Sequence, residues 1–253
     1  MNNHTSPPMI VQSTHEMRAI GTADVAKQGF SVLREGGLGE VSPNRLNDNN
    51  VPLSLSMRLV LASASPRRRK LMEQAGIPCE YVSCDIDENL GKMLPPQETV
   101  LHLSTLKAKK AADNYPQPVI IIAADTIVYI DGRILNKPES EEEAIEMLKS
   151  IAGRKHTVYT GVTLIKKEGL NTTQSVFCET ADVFMRQLTE YEIYAYVKTG
   201  EPMDKAGSYG IQEKGATLVS RVEGDYFTVV GLPLAQLAIA LKEMGYDIMA
   251  AWK

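Results

Sequence analysis

Arg67, Arg68, Arg69 and Lys70 form a run of cations that follows Ser63, Ser65 and Pro66, directly after the apolar stretch Leu59-Val60-Leu61-Ala62. The order of residue types reads as a short buried strand that breaks into a helix, with the cations crowding the helix's first turns. A helix start leaves its first amides unpaired and carries the positive end of the macrodipole, so it favours acids there. Cations gathered at that point need a compensating anion. A phosphate group fits, held jointly by backbone amides, hydroxyls and guanidinium forks. A solvated basic turn is the plainer alternative.

Asp125-Thr126 closes the most apolar run of the chain, Val119-Ile120-Ile121-Ile122-Ala123-Ala124. A carboxylate at the end of a buried strand lies where α/β folds open their ligand crevice. Beside phosphates it binds Mg2+ or orients a water; an Asp that only caps a turn is the competing reading. Lys137 precedes Pro138, which keeps it extended and projects its amine away from the preceding hairpin, although a Lys in that position is most often simply exposed. The run Glu201 to Gln212 mixes Glu201, Asp204 and Lys205 with Gly207 and Gly210 and sets Gln212 just beyond Ile211. Glycine permits close backbone approach, and a glutamine amide offers a donor and an acceptor to a base edge; a flexible loop with a solvated ion pair competes. Lys107, Lys109 and Lys110 read as a solvated helix face, with Lys107 the exception if its turn faces the arginines. His156 stands alone and reads as a satisfied strand residue. No Gly-x-Ser-x-Gly elbow, HExxH or Walker A loop is present, so those hydrolase and NTPase classes lack support.

The elements that must position these residues begin at Met57. A strand at 58–62 leads to a helix at about 66–75 closed by Gly76, then a strand at about 79–83 and a helix from Glu98 to Asn114. Strand 119–124 is covered on both faces, and Val128–Ile130 and Ile134-Leu135 flank the hairpin signal Asp131-Gly132. Ser140 and Glu143 resemble a capping box ahead of a helix at 141–151 that ends at Gly153. Strands at about 156–166 and 174–186 follow, then a helix from Thr189 to Thr199 capped by Gly200. Short strands near 216–222 and 226–229 precede a helix at 233–244. Strands alternating with helices, with some hairpins, predict a mixed-sheet α/β domain over 57–253.

Residues 1–56 carry scattered Asn, Ser, Thr, Gly and Pro without a sustained period and read as a disordered extension, with Thr22 to Leu33 as a short helix. Their acids, Glu16, Asp24, Glu35, Glu40 and Asp48, weaken a targeting role, and Met57 suits an alternative start. The 253 residues are 43% apolar and 23% charged, as in a globular protein with a real core. A net charge of −4 argues against broad binding to nucleic acid or an anionic membrane. No apolar run reaches the ~18 residues of a membrane span. Cys79, Cys84 and Cys178 are odd in number and lack a metal-ligand pattern, which suits a reducing, cytoplasmic compartment.

Taken in order, the motifs closely resemble the Maf (septum-formation inhibitor-like) family of nucleoside triphosphate pyrophosphatases. The matching pieces are Leu61 to Arg68, Asp85-Ile86-Asp87-Glu88, Leu103 to Ala108, Ala124-Asp125-Thr126, Asn136-Lys137-Pro138, Gly153-Arg154 with His156, Glu201 to Gln212 and Val230 to Leu234. They span 58 to about 240 and say nothing of 1–56. The resemblance implies a mixed twisted sheet flanked by helices, Maf/ITPase-like, with a central cleft. It also implies cleavage of a nucleoside triphosphate between the α and β phosphates. Asp125 would be the catalytic carboxylate, acting as base or through a divalent metal. Ser63, Arg67 and Arg68 would hold phosphate, Lys107, Lys137 and Lys205 would be the other cations, and Glu88 or Asp87 a metal partner. The implied cofactor is Mg2+ or another divalent cation such as Mn2+, and the implied assembly a homodimer. Arg67, Thr126 and Gln212 match the dTTP/UTP-hydrolysing subgroup; the 7-methyl-GTP subgroup has a different loop and a Glu near Gln212. A nucleotide-binding regulator of division with little catalysis is the reading from another class. Arg69 departs from the pattern, standing where a polar neutral residue is expected, and is assigned to the solvent side of the helix start.

Overall fold

A computed structural model describes residues 31–34, 57–88 and 94–252. Its strands are β1 (Ser31–Arg34), β2 (Arg58–Ala62), β3 (Glu80–Val82), β4 (Val119–Ile130), β5 (Arg133–Leu135), β6 (Lys155–Glu168), β7 (Asn171–Met185) and β8 (Val219–Gly224). The helices are α1 (Pro66–Gln74), α2 (Pro96–Asp113), α3 (Glu141–Ile151), α4 (Glu190–Val197), α5 (Tyr226–Val230) and α6 (Leu234–Glu243). The strands form one sheet in the order β1-β7-β6-β4-β2-β3, with β5 on β4 and β8 on β7. β2 runs parallel to both β3 and β4, and the remaining pairings are antiparallel. This is the mixed α/β sheet that the alternation of elements predicts.

The period of two along β2 and β4 sorts their side chains into two cores. Leu59, Leu61, Ile120, Ile122 and Ala124 face α1 and α6, while Val60, Ala62, Ile121 and Ala123 face α2. A third core, under α3 and α4, fills the far end of the sheet around Val128, Leu148, Val183 and Ile193.

One edge of β4 is split between two partners. β2 pairs Val119–Ile122 and β5 pairs Val128–Ile130, so neither covers Ala123 to Ile127 on that side. A sheet that parts in this way leaves a crevice beyond the ends of its parallel strands, and Asp125 and Thr126 stand in it. Asp125 does not end the strand as the sequence suggests. β6 pairs with β4 from Val119 through Tyr129, which keeps the backbone extended past the carboxylate.

Four further readings change. Residues 226–229 are helical, not a strand, because the Asp225 side chain accepts from the amides of Phe227 and Thr228 and starts a helix. The strand near 216–222 begins only at Val219, and Glu213–Leu218 is a 3-10 turn. Ser31 to Leu33, at the end of the short helix expected over 22–33, instead pair with β7; the rest of 1–56 lies outside the described residues. The capping box at Ser140 is half formed: its hydroxyl accepts from the Glu143 amide, but the Glu143 carboxylate accepts from the amide of Glu139. Thr189 and Glu192 complete the full box at α4.

Candidate active site

The split in the sheet opens into a cleft of about 1350 Å³. Ser63, Arg67, Arg68, Glu88, Lys107, Asp125, Thr126, Lys137, Lys205 and Gln212 all line it. Asp87, the other carboxylate named as a metal partner, is exposed and is not part of the lining.

Ser63, Arg67 and Arg68 come from the turn between β2 and α1. Ser65 caps the helix, Pro66 occupies its first turn, and no acid lies there. Arg68 is held by the protein itself: Nε donates to Gly231 O at 2.7 Å, Nη1 to Ser63 Oγ at 3.3 Å and Nη2 to Thr126 Oγ1 at 2.9 Å. Burial pulls its pKa down to about 10, partly offset by the Asp125 charge, so it stays cationic at neutral pH. Because Arg68 donates to Thr126, the Thr126 hydroxyl is left to donate to Thr160 Oγ1 at 2.9 Å, and Thr160 donates to Thr228 O at 2.8 Å. Thr126 therefore orients Arg68, a task its place in the sequence did not reveal. Arg69 is exposed, as expected, and lies over the Tyr81 ring at 4.1 Å, a cation–π contact that accounts for a third arginine.

Lys107 reaches the centre from α2. Its ammonium donates to Asp125 Oδ1 at 2.6 Å and to Glu88 Oε1 at 2.8 Å. Gly161 makes the reach possible. It pairs with Asp125 across β4 and β6, and a Cβ there would meet Val100 O at 2.5 Å, so only glycine lets α2 lie this close. Lys107 is thus not part of a solvated face. Burial opposes ionisation of Glu88, but the hydrogen bond from Lys107 together with the charges of Lys107, Lys137 and Arg68 outweighs it and holds the carboxyl below its ordinary range. Two carboxylates converging on one cationic point suit a hard divalent ion, which takes one or two protein carboxylates and fills its shell with water and phosphate oxygens. Among the described residues no cluster of three or more acids, histidines or cysteines offers a fuller cage.

The opposite wall is the segment from Glu201 to Gln212, folded into 3-10 turns and pinned to the β4–β5 hairpin where the Gly207 amide donates to Asn136 O at 3.1 Å. Lys205, 9% exposed, donates to Glu201 O at 2.6 Å and Asp204 Oδ1 at 2.8 Å. Arg67 crosses the cleft to Asp204 Oδ2 at 2.7 Å. In the sequence Asp204 stands out only as one carboxylate of a mixed run and is given no partner, although two cations facing one cleft imply a counter-anion. Lys137 is exposed beside Pro138, and Gln212 is half-buried. His156 is satisfied only on one side: Nε2 bonds the Tyr209 hydroxyl at 2.7 Å, while the buried Nδ1 has no partner.

An α/β sheet that parts around an aspartate, with cations on both walls, defines a cleft for a polyanion. The chain belongs to the Maf-like protein family, whose model matches residues 58–244. A dTTP/UTP pyrophosphatase of Geobacillus sp. (strain WCH70) is 46% identical over 189 residues, covering 75% of this chain and 99% of that protein. The dTTP/UTP pyrophosphatase of Bacillus mycoides (strain KBAB4) is 46% identical over 194 residues, covering 77% and 99%. The solved Ham1 protein of Staphylococcus aureus overlaps 74% of this chain and 99% of its own at 15% identity and a TM-score of 0.41, a likeness too loose to argue from.

Proposed function

We propose that the chain is a nucleoside triphosphate pyrophosphatase that hydrolyses dTTP and UTP to the monophosphate and pyrophosphate. The observation that carries this reading is Asp204, one anion held between Arg67 and Lys205 from opposite walls of the cleft that also holds Asp125. A triphosphate carries about four negative charges, and its phosphates would take the place of the Asp204 carboxylate on those cations. A water attacks the α-phosphorus, the bond to the bridging oxygen breaks, and pyrophosphate leaves with that oxygen. Asp125 accepts the water's proton or fixes its orientation, and the Lys107 ammonium, donating to Oδ1, holds the Asp125 carboxylate in place. No covalent nucleophile is needed.

Mg2+ or Mn2+, held by Asp125 and Glu88, would supply charge neutralisation at the phosphate oxygens. Gln212 is the base-reading group in this account: its amide offers one acceptor to the N3–H and one donor to a carbonyl of uracil or thymine, whereas an acid there would suit the donors of a guanine edge. The names of the relatives support the same substrates. Homodimer assembly and cytoplasmic residence belong to the same reading, the first checked by mass in solution and the second by cell fractionation.

Pyrophosphate release with Mg2+ across dTTP, UTP, CTP, GTP and 7-methyl-GTP tests the proposal. Preference for dTTP and UTP is the expected result. Preference for 7-methyl-GTP would keep the chemistry and overturn the specificity, and binding without turnover of any nucleotide would favour a regulator.

A further inference from the structure

We propose that Glu201 is a specificity-determining positioning residue, whose carboxylate fixes the backbone on both sides of Gln212 and so sets how that amide meets a base. The inference rests on Gln212 as the base-reading group and extends that role to a residue that need not touch the nucleotide.

Glu201 follows Gly200, which lies in the left-handed region with a φ of 73°, and starts the 3-10 turn Glu201–Asp204. Its Oε1 accepts from the Tyr196 hydroxyl and from the Gly215 amide, each at 3.0 Å, and its Oε2 accepts from the Lys214 amide at 3.2 Å. With its proton committed to Glu201, the Tyr196 oxygen accepts from the Gly210 amide at 3.2 Å. Gly210 precedes Gln212 by two residues and Lys214 follows it by two. One carboxylate therefore ties down both flanks of the residue that faces the cleft.

The stretch between these anchors is not self-supporting. Gln212 is extended, and Glu213 turns back with a φ of 56°, a left-handed conformation that a non-glycine residue adopts only at a steric cost. Such a kink persists only where its surroundings over-determine it. The anchors do so, and the close approach of the loop's two limbs leaves no slack: a Cβ on Gly215 would meet Gly210 O at 2.1 Å and the Tyr196 oxygen at 2.6 Å. Glu201 O also receives Lys205 Nζ at 2.6 Å. The base-reading and phosphate-facing parts of this wall thus share one residue.

The test compares kcat and KM for dTTP, UTP, CTP and GTP in the full chain, Glu201→Gln and Tyr196→Phe. Glu201→Gln keeps the shape but aims an amide donor at backbone donors; Tyr196→Phe removes only the link to Gly210. Loss of one such anchor is expected to raise KM for dTTP and UTP about five- to tenfold, with a smaller change in kcat. KM for CTP and GTP should stay within about twofold, so the preference shrinks in both variants. If Glu201→Gln fails to fold, Tyr196→Phe carries the comparison. A uniform loss across nucleotides, or lower melting temperatures with the preference intact, would overturn the inference alone. A wild-type chain indifferent to the base would overturn the reading of Gln212 and this inference with it.

Discussion

The chemistry of the cleft depends on charges that the protein balances internally until a substrate arrives. Lys107 sits between Asp125 and Glu88, and Arg67 and Lys205 share Asp204. Half of this was legible in the sequence. The arginines, Asp125 and Gln212 announce themselves by residue type and by position beside a strand or a glycine-rich run. Their pairings were not, because Arg67 and Asp204 lie 137 residues apart and no local rule relates them. Thr126 was read as a specificity mark and turns out to hold Arg68, a task defined only by the folded hydroxyl chain. Replacing Gln212 with Glu removes a donor and sets a carboxylate against a pyrimidine carbonyl, a cost of about 1–3 kcal/mol. The expected outcome is a ten- to hundredfold fall in kcat/KM for dTTP and UTP, with the melting temperature held. An unchanged preference between UTP and 7-methyl-GTP would remove Gln212 from base reading.

At the level of elements, the fold follows local signals closely where those signals are short-range. The Asp131-Gly132 hairpin forms with φ of 50° and 77° at the two residues, and the caps at Ser140 and Thr189 mark real helix starts. The end of α4 differs: Lys198 closes it, and Gly200 instead leads into the 3-10 turn Glu201–Asp204. Where local signals conflict, the cap wins: Tyr226 to Val230 are strand-forming types, yet Asp225 starts a helix there. The closeness of α2 to the sheet was not legible, since Gly161 reads as an ordinary strand glycine until its neighbour on α2 is known. Gly161→Ala should therefore do two things. The added methyl must push α2 away at a cost of about 1–3 kcal/mol, and it must also draw Lys107 off Asp125. Turnover is expected to fall by more than the stability loss explains, read as kcat at a temperature where the variant remains folded. Full turnover in a folded variant would show that the approach of α2 does not set the site.

Across the whole molecule, an acidic chain of net charge −4 gathers its working cations in one cleft, which favours capture of a small polyanion over nucleic acid. Among the described residues no helix is long and apolar enough to cross a membrane. The buried His156 adds a pH dependence to global stability. Burial pulls its pKa from 6.5 to about 4, so the folded state stays neutral while the unfolded chain takes up a proton. Stability is fully present above about pH 6.5 and falls as the pH drops towards 4, by roughly 3 kcal/mol from this group at 1.36 kcal/mol per unit. Urea midpoints measured from pH 7 to 4 should fall, and His156→Gln should flatten that slope whatever its absolute stability. An equal slope in the variant would assign the effect elsewhere. The central claim is that Asp125 drives hydrolysis at the α-phosphorus, and its most direct test is pyrophosphate release from dTTP by the wild-type chain and Asp125→Asn, matched for folding by circular dichroism. The account predicts release by the wild type and none above background by a folded Asp125→Asn. Comparable release by the two would contradict it.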